Sequence, residues 1–186
     1  MLEPELVKAA RYIVAVDPGP ITSGMVVYDR EESKVVRCNP KAELYDLRAE
    51  VWWAARNGAA LCFERTQAGP PSTQVVLTTE VVGRLMEMAD AVDLPWTAYY
   101  RRHVLFALGV GGAKSKDAVV RQVLLGLHGG TQGVAIGTKK NPGPLYGVSS
   151  HGWAALAVAV THNVKMRASI EVDPLTSRLH AGTESR

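Results

Sequence analysis

The stretch that most constrains the fold is Arg11 to Asp29, RYIVAVDPGPITSGMVVYD. Its first part, Tyr12 to Val16, is an almost unbroken apolar run, which is typical of a β-strand covered on both faces. Asp17-Pro18-Gly19 favours a tight turn, a second strand is predicted from Met25 to Tyr28, and Gly24 is expected to let the returning chain pass close to the first strand. An acidic residue at the mouth of a buried strand lies where open α/β sheets bind their ligands. Asp17 taken alone could equally serve only to shape the turn.

Composition narrows the class of protein. The chain has 186 residues, 47% of them apolar and 21% charged, which is typical of one globular domain. We place this domain at residues 11–170, after an extension at 1–10. The polar tail at 171–186 is expected to be poorly ordered. A net charge of +3 permits a nucleic-acid partner without requiring one. Cys38 and Cys62 lack the spacing of a zinc site or a disulfide framework. No apolar run could span a bilayer and the N-terminus does not resemble a signal peptide, so we expect a cytoplasmic protein without a membrane partner.

A second acidic residue follows another predicted strand. A short strand is predicted from Lys34 to Arg37, and a helix from Glu43 to Arg56 has its apolar residues on one face. The buried strand Ala59 to Phe63 comes next and is followed directly by Glu64. A strand–helix–strand connection forms a right-handed crossover, so this strand is expected to lie parallel to the first strand and near it. Glu64 would then share a sheet edge with Asp17, and paired carboxylates can bind divalent metal ions.

The rest of the chain is predicted to be mainly helical. The segment from Gly129 to Ser149 has no periodic apolar pattern, and we expect it to be a mobile loop. Ser115 or Asp117 is expected to cap the helix before that loop. In the last helix, the residues expected to face the core are Trp153, Leu156, Val160 and Val164. The predicted elements are helices from Gln74 to Val92, Lys116 to Leu127 and His151 to Met166, a strand from Leu94 to Tyr99, and a short helical segment from Arg101 to Gly109.

The order β-β-β-α-β-α-β-α-α, with acids after the first and fourth strands, resembles the ribonuclease-H-like superfamily. Four segments, in the same order and spacing, resemble the RuvC family of Holliday-junction resolvases. The resemblance covers roughly Tyr12 to Val164. It implies an α/β fold whose five-stranded mixed sheet, three antiparallel strands and then two parallel ones, is flanked by helices. The segments are AVDPGPITSG at 15–24, CFER at 62–65, GVGGAKSKDAVVRQVL at 109–124 and ALAVAVTH at 155–162.

This resemblance also implies an activity. It predicts a nuclease that resolves four-way DNA junctions by symmetric, metal-dependent nicking. Asp17 and Glu64 would bind Mg²⁺, with Mn²⁺ able to substitute, and no nucleotide cofactor is expected. Because a four-way junction is two-fold symmetric, we expect a homodimer, with the helix from Gln74 to Val92 as its interface by analogy with the family.

The start of the last helix departs from the family pattern. Members of the family place two metal ligands three residues apart, which puts both on one helix face. His151 fits the first position as a ligand or a general base, although a histidine at a helix start can also be a plain surface residue. Ala154 stands where an Asp is expected, and alanine can neither bind a metal nor move a proton. We consider two explanations, an inactivating Asp-to-Ala substitution and a naturally reduced site.

Positively charged residues provide candidates for DNA contact. Any one of them taken alone is more often a solvated surface charge, but as a group they favour DNA binding. Gln67 stands where bacterial members of the family carry an aromatic residue that wedges into the junction, and Gln74 or Tyr146 could substitute for it. The candidate cations are Arg65, Arg101, Arg102, Lys114, Lys116, Arg121, Lys139 and Lys140.

Other functions are weighed against this one. The pattern D-P-G-x-x-x-x-G also resembles the first phosphate loop of actin-like ATPases and sugar kinases, but those proteins need a second such loop, and the sequence has none. A non-catalytic module that binds junctions is a stronger alternative because Ala154 removes a ligand. A general nuclease for branched or flap DNA is the alternative within the enzyme class.

Overall fold

A computed structural model describes residues 10–66, 72–110 and 117–171. Gln67, Lys114 and Lys116, most of the predicted extension and nearly all of the predicted tail lie outside the described residues. None of the helices in the described ranges is long and apolar enough to cross a membrane. The elements in chain order are β1 (Tyr12–Asp17), β2 (Ser23–Asp29), β3 (Lys34–Ala42), α1 (Leu44–Arg56), β4 (Ala60–Arg65), α2 (Thr73–Asp90), β5 (Trp96–Tyr100), α3 (Arg101–Ala107), α4 (Asp117–Leu127), α5 (Gln132–Ala135) and α6 (Gly152–Glu171).

The five strands form one mixed sheet in the order β3-β2-β1-β4-β5. β1 pairs antiparallel with β2, and β2 pairs antiparallel with β3. β4 runs parallel to β1 and to β5, because α1 and α2 return the chain to the same end of the sheet before each new strand. The predicted fold class, three antiparallel strands followed by two parallel ones with flanking helices, is confirmed.

The central strand β1 is covered on both faces. Ile13 and Ala15 belong to the apolar cluster that includes α6, whereas Val14 and Val16 belong to the cluster that includes α1 and α2. All four side chains are at most 1% exposed. Alternate residues of a strand point to opposite faces, so burial on both sides requires the unbroken apolar run seen in the sequence.

The segment from Gly129 to Ser149 is more structured than the sequence predicts. It contains the short helix α5 and a β-bridge between Gly137 and Pro142, and the backbone N–H of Val35 donates a hydrogen bond of 2.7 Å to the Pro144 carbonyl. Leu145 is fully buried in the cluster beneath α6. The expectation of a mobile loop is therefore wrong. Single apolar residues anchor this segment one at a time, without the regular spacing that a sequence pattern reveals.

Two further expectations about side chains are corrected. Val164 of α6 is 44% exposed and does not face the core, whereas Leu156 and Val160 are buried as predicted. β3 continues well past Arg37 and ends at Ala42. Its outer part is half exposed, so its residues carry little of the apolar signal from which a strand is predicted.

Candidate active site

Two carboxylates lie together where adjacent parallel strands end. Val16 pairs with Phe63 in the register of β1 and β4, so Asp17 and Glu64 occupy the next level of the sheet side by side. Burial raises the pKa of Asp17 to about 6, and the nearby charge of Arg101 offsets part of that rise. Burial likewise raises the pKa of Glu64 to about 7, lowered in part by Arg101 and raised further by Asp17. Such a pair is poised to bind a cation, which would remove the cost of burying two negative charges.

His151 lies beside the first carboxylate. Its Nδ1 atom is 3.9 Å from Oδ2 of Asp17, and its side chain is 62% exposed. Gly24 allows this approach, because a Cβ atom added there would overlap the His151 carbonyl oxygen and lie 2.9 Å from the His151 Cβ. The close approach that requires Gly24 is therefore to the start of α6. Gly24 does pair with Asp17 in the register of β1 and β2, as an approach to the first strand requires. The expectation is incomplete because the contact that excludes a side chain at Gly24 is the one with His151.

Ala154 lies in the first turn of α6 and lines the same cleft as His151 and the two carboxylates. The structure thus brings the residue that replaces the expected Asp to the wall of the site. Its methyl group supplies no ligand and no proton-transfer group, so the first turn of α6 lacks the carboxylate that the resemblance implies at this position.

Arg101 lines the cleft itself and does not lie on the surface around it. It follows β5 directly, and Tyr99 of that strand pairs with Glu64, so the end of β5 brings the guanidinium beside the carboxylate. Nη1 of Arg101 is 3.6 Å from Oε2 of Glu64, and Nη2 is 2.6 Å from Oδ1 of Asp117. Sequence reasoning proposed Asp117 only as a helix cap. Its position just after a Gly-rich segment, at the start of a helix, was the one signal of a role at the cleft.

The cleft has a volume of about 410 Å³. Of the candidate DNA-binding residues that the structure describes, only Arg101 lines it. Arg121 stacks on Trp153 at the cleft wall, with its guanidinium carbon 4.8 Å from the ring centre. Arg65, Arg102, Lys139 and Lys140 are exposed outside the cleft. The lining residues are Asp17, Glu64, Arg101, Asp117, Val120, Ser150, His151, Trp153 and Ala154.

The donor atoms partly fit a divalent cation. Oε2 of Glu64 is buried without a hydrogen-bond partner, and a buried carboxylate oxygen in that state is a natural metal ligand. Asp17 supplies a second carboxylate and His151 an imidazole on the far side of Asp17. Within residues 10–66, 72–110 and 117–171, however, no three His, Cys, Asp or Glu side chains converge as a metal site does. Asp17 and Glu64 are thus two candidate carboxylate ligands, and no third such side chain of the described residues converges on them.

Replacing Glu64 with Gln should stabilise the metal-free protein at neutral pH. The fold favours the protonated carboxyl, so the contribution of Glu64 to stability is complete below about pH 4.5 and is lost as the pH rises to about 7. Gln mimics the protonated form at every pH. We expect Glu64→Gln to raise the free energy of unfolding by roughly 1–3 kcal/mol at pH 8 and to leave it nearly unchanged at pH 4.5. Urea unfolding with a chelator present measures this.

The matched control for that measurement is Glu80→Gln, which changes an exposed carboxylate on α2. It should leave the free energy of unfolding unchanged at both pH values. An equal gain in stability from both substitutions would contradict the assignment of a destabilising buried charge to Glu64.

Comparisons with known proteins show similarity to solved structures and not to known sequences. The sequence matches no protein-family model and no curated protein. Among solved structures, the chain is similar to RuvC of Thermus thermophilus, with 21% identity, a TM-score of 0.58 and coverage of 85% of this chain and 96% of that one. A structure of T. thermophilus RuvC in complex with a Holliday junction substrate also matches, with 21% identity, a TM-score of 0.56 and coverage of 84% and 95%.

A yeast protein matches at lower identity. The yeast mitochondrial Holliday junction resolvase shares 11% of residues over 93% of this chain and 85% of its own, with a TM-score of 0.54. The likeness extends over 85% to 96% of the chain in each of these three structures. The chain therefore has a ribonuclease-H-like fold of the form found in RuvC.

Proposed function

We propose that this chain is an endonuclease of the RuvC type that acts on four-way DNA junctions with the help of a divalent metal ion. The observation that carries the proposal is the pair of buried carboxylates, Asp17 and Glu64, side by side at the ends of β1 and β4. Both have raised pKa values in a cleft of a fold shared with junction resolvases. Fold alone does not define an activity, but two carboxylates at this position are groups that could bind the metal ion of a nuclease.

The residues of the cleft have distinct roles in this proposal. Asp17 and Glu64 would hold Mg²⁺ or Mn²⁺, which when bound would polarise the scissile phosphate and lower the pKa of a water molecule. His151, beside Asp17 and largely open to solvent, would accept the proton of the attacking water or act as a further ligand. The exposure of His151 suits either role, because the DNA backbone must approach from the solvent side.

DNA would approach over the cations around the cleft. Arg65 and Arg102 are exposed at the ends of β4 and β5, where Glu64 and Arg101 also lie. Lys139 and Lys140 are exposed on the segment anchored by Leu145. A phosphate contact from any of these would position DNA without reading its sequence.

A homodimer would give the two cuts their symmetry. We place the interface on α2, whose buried side is formed by Val82, Leu85 and Ala89. Val76 and Leu77 of the same helix are 49% and 38% exposed. Apolar residues left open in this way are available to pack against a second copy.

Ala154 supports a second candidate function, a junction-binding module that does not cut. In that case the cleft would hold the DNA backbone but would lack a ligand needed for chemistry. In the nuclease proposal, Ala154 is instead either an inactivating Asp-to-Ala substitution or the mark of a naturally reduced site. A nuclease for branched or flap DNA in general would have the same cleft and a broader choice of substrate.

One experiment separates these functions. The chain is titrated against a labelled four-way junction, a flap and a linear duplex of equal length, first without metal and then with Mg²⁺ or Mn²⁺. The junction nuclease predicts preferential binding of the junction and paired nicks that depend on metal and disappear in Glu64→Gln. Preferential binding with no nicks in either metal, by the chain and by its Ala154→Asp variant alike, supports the binding module, whereas nicks made only by Ala154→Asp support an inactivated nuclease. Equal cutting of junction and flap supports the broader nuclease, and equal binding of all three substrates contradicts junction recognition.

A further inference from the structure

Arg101 provides a positive charge at the place where the proposed function requires a metal ion. Its guanidinium is 3.6 Å from Glu64, and its charge also acts on Asp17. The Arg101 side chain is 30% exposed and that of Glu64 is 17% exposed, so this interaction is only partly screened by solvent. Arg101 therefore offsets part of the negative charge of both carboxylates in the metal-free protein.

The contact with Asp117 alone does not explain why Arg101 is there. Asp117 is 94% exposed, and ion pairs with a fully solvated partner contribute little to stability. The inward contact is a different kind of interaction. Oε2 of Glu64 has no hydrogen-bond partner, so Arg101 faces it as a charge without completing its hydrogen bonding. That oxygen keeps its lone pairs available while a cation stays near it.

We propose that Arg101 is a built-in counterion of the cleft that competes with a divalent metal ion for Glu64, and that metal binding moves the guanidinium away towards Asp117 and the DNA backbone. This inference rests on the proposed function, because it takes Glu64 to be a metal ligand. Asp117 already holds the other side of the guanidinium at 2.6 Å and so provides a partner for the displaced position. A site that has lost the carboxylate expected at Ala154 and holds an arginine has less negative charge, and its metal affinity is lowered on both counts.

The test measures metal binding directly and without DNA. Mn²⁺ is titrated into the intact protein, and the free ion is followed by its electron paramagnetic resonance signal. Removing the charge with Arg101→Gln should tighten Mn²⁺ binding about 5- to 20-fold, the range expected for one unit charge facing a divalent ion in a partly solvated cleft. Arg101→Lys keeps the charge and should bind Mn²⁺ within about 3-fold of the parent.

Arg102→Gln is the matched control. Arg102 is the next residue along, and it is exposed with its guanidinium carbon 5.2 Å from the Tyr100 ring centre. It carries the same charge outside the cleft, so its removal should leave Mn²⁺ affinity unchanged. Circular dichroism establishes that each variant is folded, and Glu64→Gln shows whether the ion measured is the one in the cleft.

The outcomes separate this inference from the proposed function. If the parent binds Mn²⁺ in a Glu64-dependent way and Arg101→Gln binds it with equal or weaker affinity, the counterion role is wrong while the metal site stands. If Arg101→Gln and Arg102→Gln tighten binding equally, the effect is one of overall charge and the inference is also wrong. If neither the parent nor Arg101→Gln binds Mn²⁺, the inference fails together with the metal-dependent part of the proposed function.

Discussion

Replacing Ala154 with Asp should turn this chain into an efficient junction nuclease. The position lines the cleft in the first turn of α6, so a carboxylate there would lie across from Asp17 and Glu64 and supply the missing ligand. Loss of groups that merely support a metal ligand commonly costs 10- to 100-fold in activity, and we expect restoring a ligand itself to raise paired nicking of a four-way junction by about 100-fold. Single-turnover cleavage of a labelled junction in Mg²⁺ and in Mn²⁺ measures this.

Two variants show whether the gain comes from metal binding. Ala154→Asn has nearly the same size as the Asp variant without its charge and should recover only a small part of the activity. Adding Glu64→Gln to Ala154→Asp should abolish cutting. Equal rates for the parent and Ala154→Asp would mean that Asp17, Glu64 and His151 suffice and that the site is naturally reduced. No cutting by either, with junction binding intact, would favour the binding module.

Replacing Gly24 with Ala should damage both the fold and the cleft. An added Cβ would overlap the His151 carbonyl oxygen, and backbone atoms at the start of a long buried helix cannot move aside as the tip of a side chain can. We expect a loss of about 3 kcal/mol in the free energy of unfolding, at the upper end of the cost of overpacking. Urea unfolding measures the loss, and weaker Mn²⁺ binding would report the shift of His151.

Gly83→Ala is the control for this substitution. Gly83 lies within α2, and a Cβ added there would meet no atom within 4 Å. Alanine is the better helix former, so this variant should gain roughly 0.5–1 kcal/mol. If Gly24→Ala were as stable as the parent, the start of α6 would be free to move, and the position of His151 would not depend on Gly24.

The sheet and its two acids could be predicted because their signals are local. β1 and β4 are buried on both faces, which requires apolar runs, and Asp17 and Glu64 end or nearly end those runs. A crossover of ordinary handedness was then enough to bring them to one edge. The fold class could be predicted from these few strands because each of them packs against apolar clusters on both faces of the sheet.

The other features of the cleft depend on contacts between distant parts of the chain. Arg101 reaches Glu64 through the register of β4 and β5, and no spacing in the sequence distinguishes it from Arg102. The need for Gly24 arises from α6, a helix that begins far along the chain. Leu145 is fully buried although it lies in a segment with no periodic apolar pattern. Such features follow from the assembled structure, since their causes are not periodic in sequence.

The packing of α6 against β1 has a consequence for how the chain folds while it is being synthesised. Of the elements that the structure describes, β1 and its hairpin partner β2 are synthesised first and α6 is synthesised last. β1 and α6 nevertheless pack directly together. A nascent chain can close the local hairpins early, but the contact between β1 and α6 joins segments that are far apart in the sequence and therefore forms late. His151 cannot reach Asp17 before that last helix emerges. An unfinished chain therefore carries the two acids without a complete cleft, and the proposed activity would require translation to have passed α6.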